Sequence, residues 1–69
     1  MKPVINQKLE NGSTIIAIRE TMSEDEVVIL VVSNNNQYVT WRCFNNNSDT
    51  YAGHYFIDLL DAYADFIKR

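Results

Sequence analysis

Apolar and polar positions divide the chain into short alternating or wholly apolar runs, separated by polar turns and closed by one stretch with helical spacing. Val4 to Glu10 reads as a first strand, with Pro3 at its start. Asn11-Gly12 follows, a pair suited to a two-residue type I′ hairpin because both residues tolerate positive φ. Ser13 to Arg19 returns as a second strand. Strict alternation places Thr14, Ile16 and Ile18 on one face, and Ile15, Ala17 and Arg19 on the other. Val27 to Val32 is uniformly apolar, so both of its faces are expected to be covered, as in a central strand. In Gln37 to Phe44, Val39, Trp41 and Cys43 point one way, and Tyr38, Thr40, Arg42 and Phe44 the other. Tyr51 to Phe56 is a last strand, where Gly53 marks a bulge or a close backbone approach.

The spacing then changes. Phe56, Leu59, Leu60, Tyr63, Phe66 and Ile67 recur at three and four residues, which predicts a helix with one apolar stripe to lay on the sheet. Asp58, Asp61 and Asp65 form the opposite, solvated face. Acids come early and Lys68-Arg69 last, as the helix dipole favours, and Asp65 and Arg69 are spaced to pair across one turn. The expected elements are strands over about 4–10, 13–19, 27–33, 37–44 and 51–56, and a helix over about 57–68. They make a single α+β domain: a four- or five-stranded antiparallel meander with the C-terminal helix on one face. The pattern offers no second helix for the other face of Val27 to Val32. That predicts a homodimer or a protein partner on the open side of the sheet.

Composition narrows the chemistry. Sixty-nine residues bury a small core, and eight aromatic side chains are available to fill it. With one cysteine and one histidine, neither a disulfide nor a Cys/His metal site is expected, and no cofactor motif is present. The lone thiol and the lack of a secretory apolar segment indicate a cytoplasmic protein. Val27 to Val32, the longest apolar run, is too short to cross a membrane. A net charge of −3 supplies no attraction to phosphate backbones. The acidic connector Glu20 to Glu26 lacks the Asp/Asn-Gly pattern of a calcium loop and reads as a solvated turn. The Asn-rich stretches at 34–36 and 45–47 read as turns, with Ser48 in the second loop.

Three groups of residues are candidates for function. Cys43 and His54 lie in neighbouring strands, where a Cys–His pair would activate a thiol. Cys43 shares a face with Val39 and Trp41, however, which favours a buried, inert thiol, and His54 is better read as structural. The helix aspartates are better read as a solvated face than as paired acids. Tyr38, Thr40, Arg42 and Phe44 make an aromatic and arginine-bearing strand face, and this is the preferred binding surface. Tyr and Arg anchor protein interfaces, and similar faces stack single-stranded bases. The expected function is therefore a non-catalytic protein-binding accessory or regulatory module. Nucleic-acid binding through the same face is the alternative, and a small Cys/His enzyme the least favoured reading.

Tyr38-Val39-Thr40-Trp41-Arg42, Gly53-His54-Tyr55-Phe56 and Asp61-Ala62-Tyr63-Ala64-Asp65-Phe66 together resemble small uncharacterised proteins of Gram-positive bacteria and of their phages, plasmids and conjugative elements. The resemblance spans roughly residues 9 to 69. It brings no established activity, so it carries no catalytic role over to any residue. It implies an accessory protein of a mobile element that acts by binding a host or element protein.

Overall fold

A computed structural model describes residues 2–47 and 49–69; Ser48, expected in the second Asn-rich loop, lies outside the described residues. Four antiparallel strands follow one another in space as in sequence: β1 (Thr14–Glu20), β2 (Glu26–Val32), β3 (Tyr38–Phe44) and β4 (Thr50–Phe56). One helix, α1 (Leu59–Lys68), contacts β2, β3 and β4. This is the expected meander with its C-terminal helix.

The strand expected over 4–10 is reduced to a single bridge between Lys8 and Thr14. Asn6 sits at φ 74, which bends the segment away from an extended ladder. Its backbone still exchanges hydrogen bonds with β1, from Asn6 N to Ile15 O (2.8 Å) and from Ile15 N to Gln7 O (3.0 Å). The Asn11-Gly12 turn also differs from expectation. Gly12 is at φ 89, while Asn11 is not among the positive-φ residues, so the turn is not type I′. Gly12 N donates to Leu9 O (2.9 Å) and Leu9 N to Ser13 O (2.8 Å), the pattern of a three-residue loop closed by a glycine bulge. Asn11 Oδ1 accepts from Ser13 N at 2.9 Å, and this local bond competes with the primed geometry.

A bulge in β1 between Ile15 and Ala17 breaks the alternation predicted for that strand. Ile15 and Ile18 consequently share one side, and Ile16 and Ala17 turn to the other. A second irregularity sets Ala52 and Gly53 of β4 opposite Trp41 of β3. A Cβ on Gly53 would fall 2.2 Å from Trp41 Nε1, so the close approach expected there is that of an indole.

The two sides of the sheet are covered differently. On one side Ile15, Val27, Ile29, Val31, Val39, Trp41 and Cys43 form an apolar cluster, with Leu9 and Ile18 packed against it. The segment before β1 crosses this side. Lys2 lines one cavity with Glu20, Val27 and Asn45, Gln7 to Asn11 line another with Asn47, Asp49 and Thr50, and Pro3 is buried. The segment expected to add an edge strand is instead the cover of this side. Val27 to Val31 are buried within a single chain, so the exposed second face that motivated a partner there does not exist.

On the other side Val28 and Leu30 pack with Ala62 and Phe66 of α1, flanked by Ile16, Ala17, Tyr38 and Phe56. Asp58 caps the helix, its side chain accepting from Leu60 N at 3.0 Å. Only Ala62 and Phe66 are buried along α1, whereas Leu59, Leu60, Tyr63 and Ile67 are exposed. The helix is therefore rotated from the orientation predicted by its apolar stripe.

Candidate functional site

The rotation of α1 follows from polar groups beneath it. Thr40 is fully buried, and its hydroxyl needs a partner once out of water. It donates to Asp65 Oδ2 at 2.5 Å. The same oxygen lies 2.9 Å from His54 Nδ1. Asp65 was expected on the solvated face with Asp58 and Asp61; it instead faces the sheet. Arg69 does not pair with it across the helix turn. Its Nη1 donates to Thr40 O (3.0 Å) and Nη2 to Ala52 O (2.6 Å), which fastens the helix C-terminus to β3 and β4. Burial pushes the Asp65 carboxyl up. The hydrogen bonds from Thr40 and His54, with the charges of His54 and Arg69, outweigh it and hold the group below the usual carboxylate value.

On the β1 side Arg19 clasps the helix. Its Nε donates to Phe66 O at 3.0 Å, and its guanidinium lies 6.0 Å from the centre of the Phe66 ring. Arg19 Nη2 is buried without a hydrogen-bond partner.

The four residues expected to form a binding surface are split by this arrangement. Tyr38 packs into the cluster under the helix and Thr40 is sealed beneath it. They occupy the helix-covered side of the sheet, so they do not form the open binding surface expected of them. Arg42 and Phe44 extend past the helix C-terminus. Arg42 Nη2 reaches Arg69 O at 3.4 Å, and its Nη1 is 3.7 Å from Glu26. Phe44 stacks on Tyr51 with ring centres 5.3 Å apart. The Tyr51 hydroxyl donates to Glu26, a bond that raises the tyrosine pKa, with smaller contributions from desolvation and the Glu26 charge. What remains exposed of the expected surface is a small aromatic patch whose arginine is already partnered.

Cys43 and His54 are not brought together. Cys43 belongs to the apolar cluster on the far side of the sheet, while His54 pairs in register with Thr40 and bonds Asp65 on the helix side. Burial, and then the Asp49 charge, raise the Cys43 thiol above its ordinary value, the reverse of what activates a nucleophile. His54 has the structural role expected of it, positioning the helix through Asp65, while the Trp41 indole meets the Tyr55 ring in a T-shaped contact, 6.3 Å between centres.

A further exposed apolar surface lies on and just before α1, whose apolar stripe was expected to face the sheet. Ile57, Leu59, Leu60, Tyr63 and Ile67 are all exposed. A signal for this was present. Seven of the ten residues of α1 are apolar, and at ~100° per residue they cover an arc of about 200°. That is wider than the stripe of roughly 100° that one sheet covers. Comparison of the chain with protein-family models, curated proteins and solved structures finds no match.

Proposed function

We propose that this protein is a non-catalytic protein-binding accessory module whose contact surface is the outer arc of α1. One observation carries the reading. Leu59, Leu60, Tyr63 and Ile67 stay exposed on a helix whose inner side is held by Phe66, Asp65, Arg19 and Arg69. The helix does not turn these residues inward without breaking those bonds. Apolar surface gathered on one rigid element is the usual anchor of a protein contact. The resemblance to small proteins of mobile elements supports an accessory role.

The reading is tested by capture of protein partners on the immobilised domain. Leu60→Asp with Ile67→Asp is expected to abolish capture while leaving the far-ultraviolet spectrum and the melting transition intact. Equal capture by this variant and the parent overturns the assignment. A second reading, contact with single-stranded nucleic acid, is favoured only by the stacked Phe44 and Tyr51 beside Arg42. It predicts salt-sensitive binding that is lost in Phe44→Ala and unaffected by the helix variant.

A further inference from the structure

We infer that the occupant of the outer arc of α1 is a second copy of this chain, in an antiparallel helix pair about a two-fold axis near residues 64 and 65. The inference rests on the reading of that arc as a protein-binding surface. Two observations select the occupant.

The first is area. On α1 Leu60 is 75 % exposed, Ile67 54 %, Tyr63 50 % and Leu59 42 %, and Ile57, just before the N-cap Asp58, adds 84 % at the end of the arc. These fractions correspond to on the order of 600 Å² of accessible surface, against ~800 Å² contributed by each partner to a standard interface. A two-fold contact presents the same patch from both sides, so one arc of this size meets most of the requirement of a modest dimer.

The second is the order of charge beside the arc. Asp61 lies in the first turn and Lys68 in the last, and both are exposed. They are seven residues apart, two helical turns along the same flank. An antiparallel two-fold pair brings equal flanks together with their directions reversed. Asp61 of each copy then stands beside Lys68 of the other, twice per dimer. A parallel two-fold pair places equal flanks on opposite edges of the contact, so it brings Asp61 beside neither Lys68 nor its own symmetry mate. Arg69 takes no part in the contact, because its guanidinium is committed to Thr40 and Ala52. In the antiparallel pair Leu60 of one copy lies close to Ile67 of the other, and the two Tyr63 side chains flank the axis.

Sedimentation equilibrium on the full chain tests the proposal, with circular dichroism and thermal melts confirming that each variant is folded. The parent is expected to dimerise at micromolar to submillimolar concentration. Leu60→Asp, or the milder Leu60→Ser, is expected to weaken the dimer by at least ~100-fold, since two side chains are lost per interface. Lys68→Glu is expected to weaken it about tenfold at low salt, and Asp61→Lys combined with Lys68→Glu to restore it. A parent that stays monomeric at 1 mM overturns the dimer. So does a dimer indifferent to Leu60→Ser, and failure of the charge swap to rescue Lys68→Glu overturns the antiparallel arrangement. A strict monomer that still captures other proteins through Leu60 and Ile67 defeats this inference and leaves the protein-binding reading standing. A monomer that captures nothing defeats both.

Discussion

The two sides of the sheet solve the same burial problem by different means. The side beneath the N-terminal segment is closed almost wholly by apolar packing, from Ile15 across Ile29 and Val39 to Trp41. The side beneath α1 has a smaller apolar centre, Val28, Leu30, Ala62 and Phe66, ringed by directional bonds from Thr40, His54, Arg19 and Arg69. Apolar packing is strong and has no preferred direction. Hydrogen bonds each contribute less, yet they fix an orientation, because an unmet buried group is costly. The first side supplies cohesion, and the second sets the rotation of the helix, with the result that half of its apolar arc is left to solvent.

Breaking the apolar side has the largest expected effect. Ile29 is fully buried at the centre of that cluster, and Ile29→Ala is expected to cost about 2–5 kcal/mol. In a domain this small that approaches the whole stability, so chemical denaturation should show a largely unfolded protein or a greatly lowered midpoint. Gly53→Ala comes next. Its methyl group would overlap the Trp41 indole, and forcing the ring aside is expected to cost about 1–3 kcal/mol. Displacement of the near-ultraviolet tryptophan signal, with the far-ultraviolet spectrum retained, would locate the damage.

On the polar side, Asp65→Ala leaves Thr40 buried without its acceptor, at an expected ~1–2 kcal/mol. Amide exchange in α1 should accelerate more than in β2, whose bonds belong to the other side as well. The folded pKa of Asp65 lies below its unfolded value of 3.8. Its contribution is therefore fully present above that value and is lost as pH falls through the folded pKa. Acid titration of stability should show a shallower decline in Asp65→Asn than in the parent, and equal declines would remove Asp65 from the account. The smallest expected effect is at Ala52, held at φ 56 in the β4 bulge. Ala52→Gly relieves that conformation and is expected to raise stability by up to ~1 kcal/mol, less the added freedom of the unfolded chain. It should leave the helix network unchanged, since Arg69 bonds the carbonyl of residue 52 rather than its side chain.

Much of the fold was legible because period-2 and period-3.6 patterns report local geometry directly. The apolar run in β2, the strand containing Trp41 and the Asp58-capped helix all lie close to their expected positions. The binding surface was far less legible. Tyr38, Thr40, Arg42 and Phe44 do share a strand face, as alternation requires, but alternation does not say which face a helix will cover. In α1 the helical period identified seven apolar positions without choosing which of them turn inward.

Side-chain periodicity along a few consecutive residues set the places of β1 to β4 and of the helix, their order and the covering of β2 on both faces, while the fifth strand that it also predicted, over 4–10, does not form. Three outcomes lie outside that periodicity: the N-terminal segment becomes a cover, the bulge at Ile16 reassigns faces in β1, and Asp65 turns inward while Leu60 and Ile67 turn outward. The reason is physical. These outcomes depend on partners distant in sequence, such as Thr40 with Asp65 and Arg19 with Phe66, and a satisfied buried hydroxyl outweighed the apolar stripe in orienting the helix.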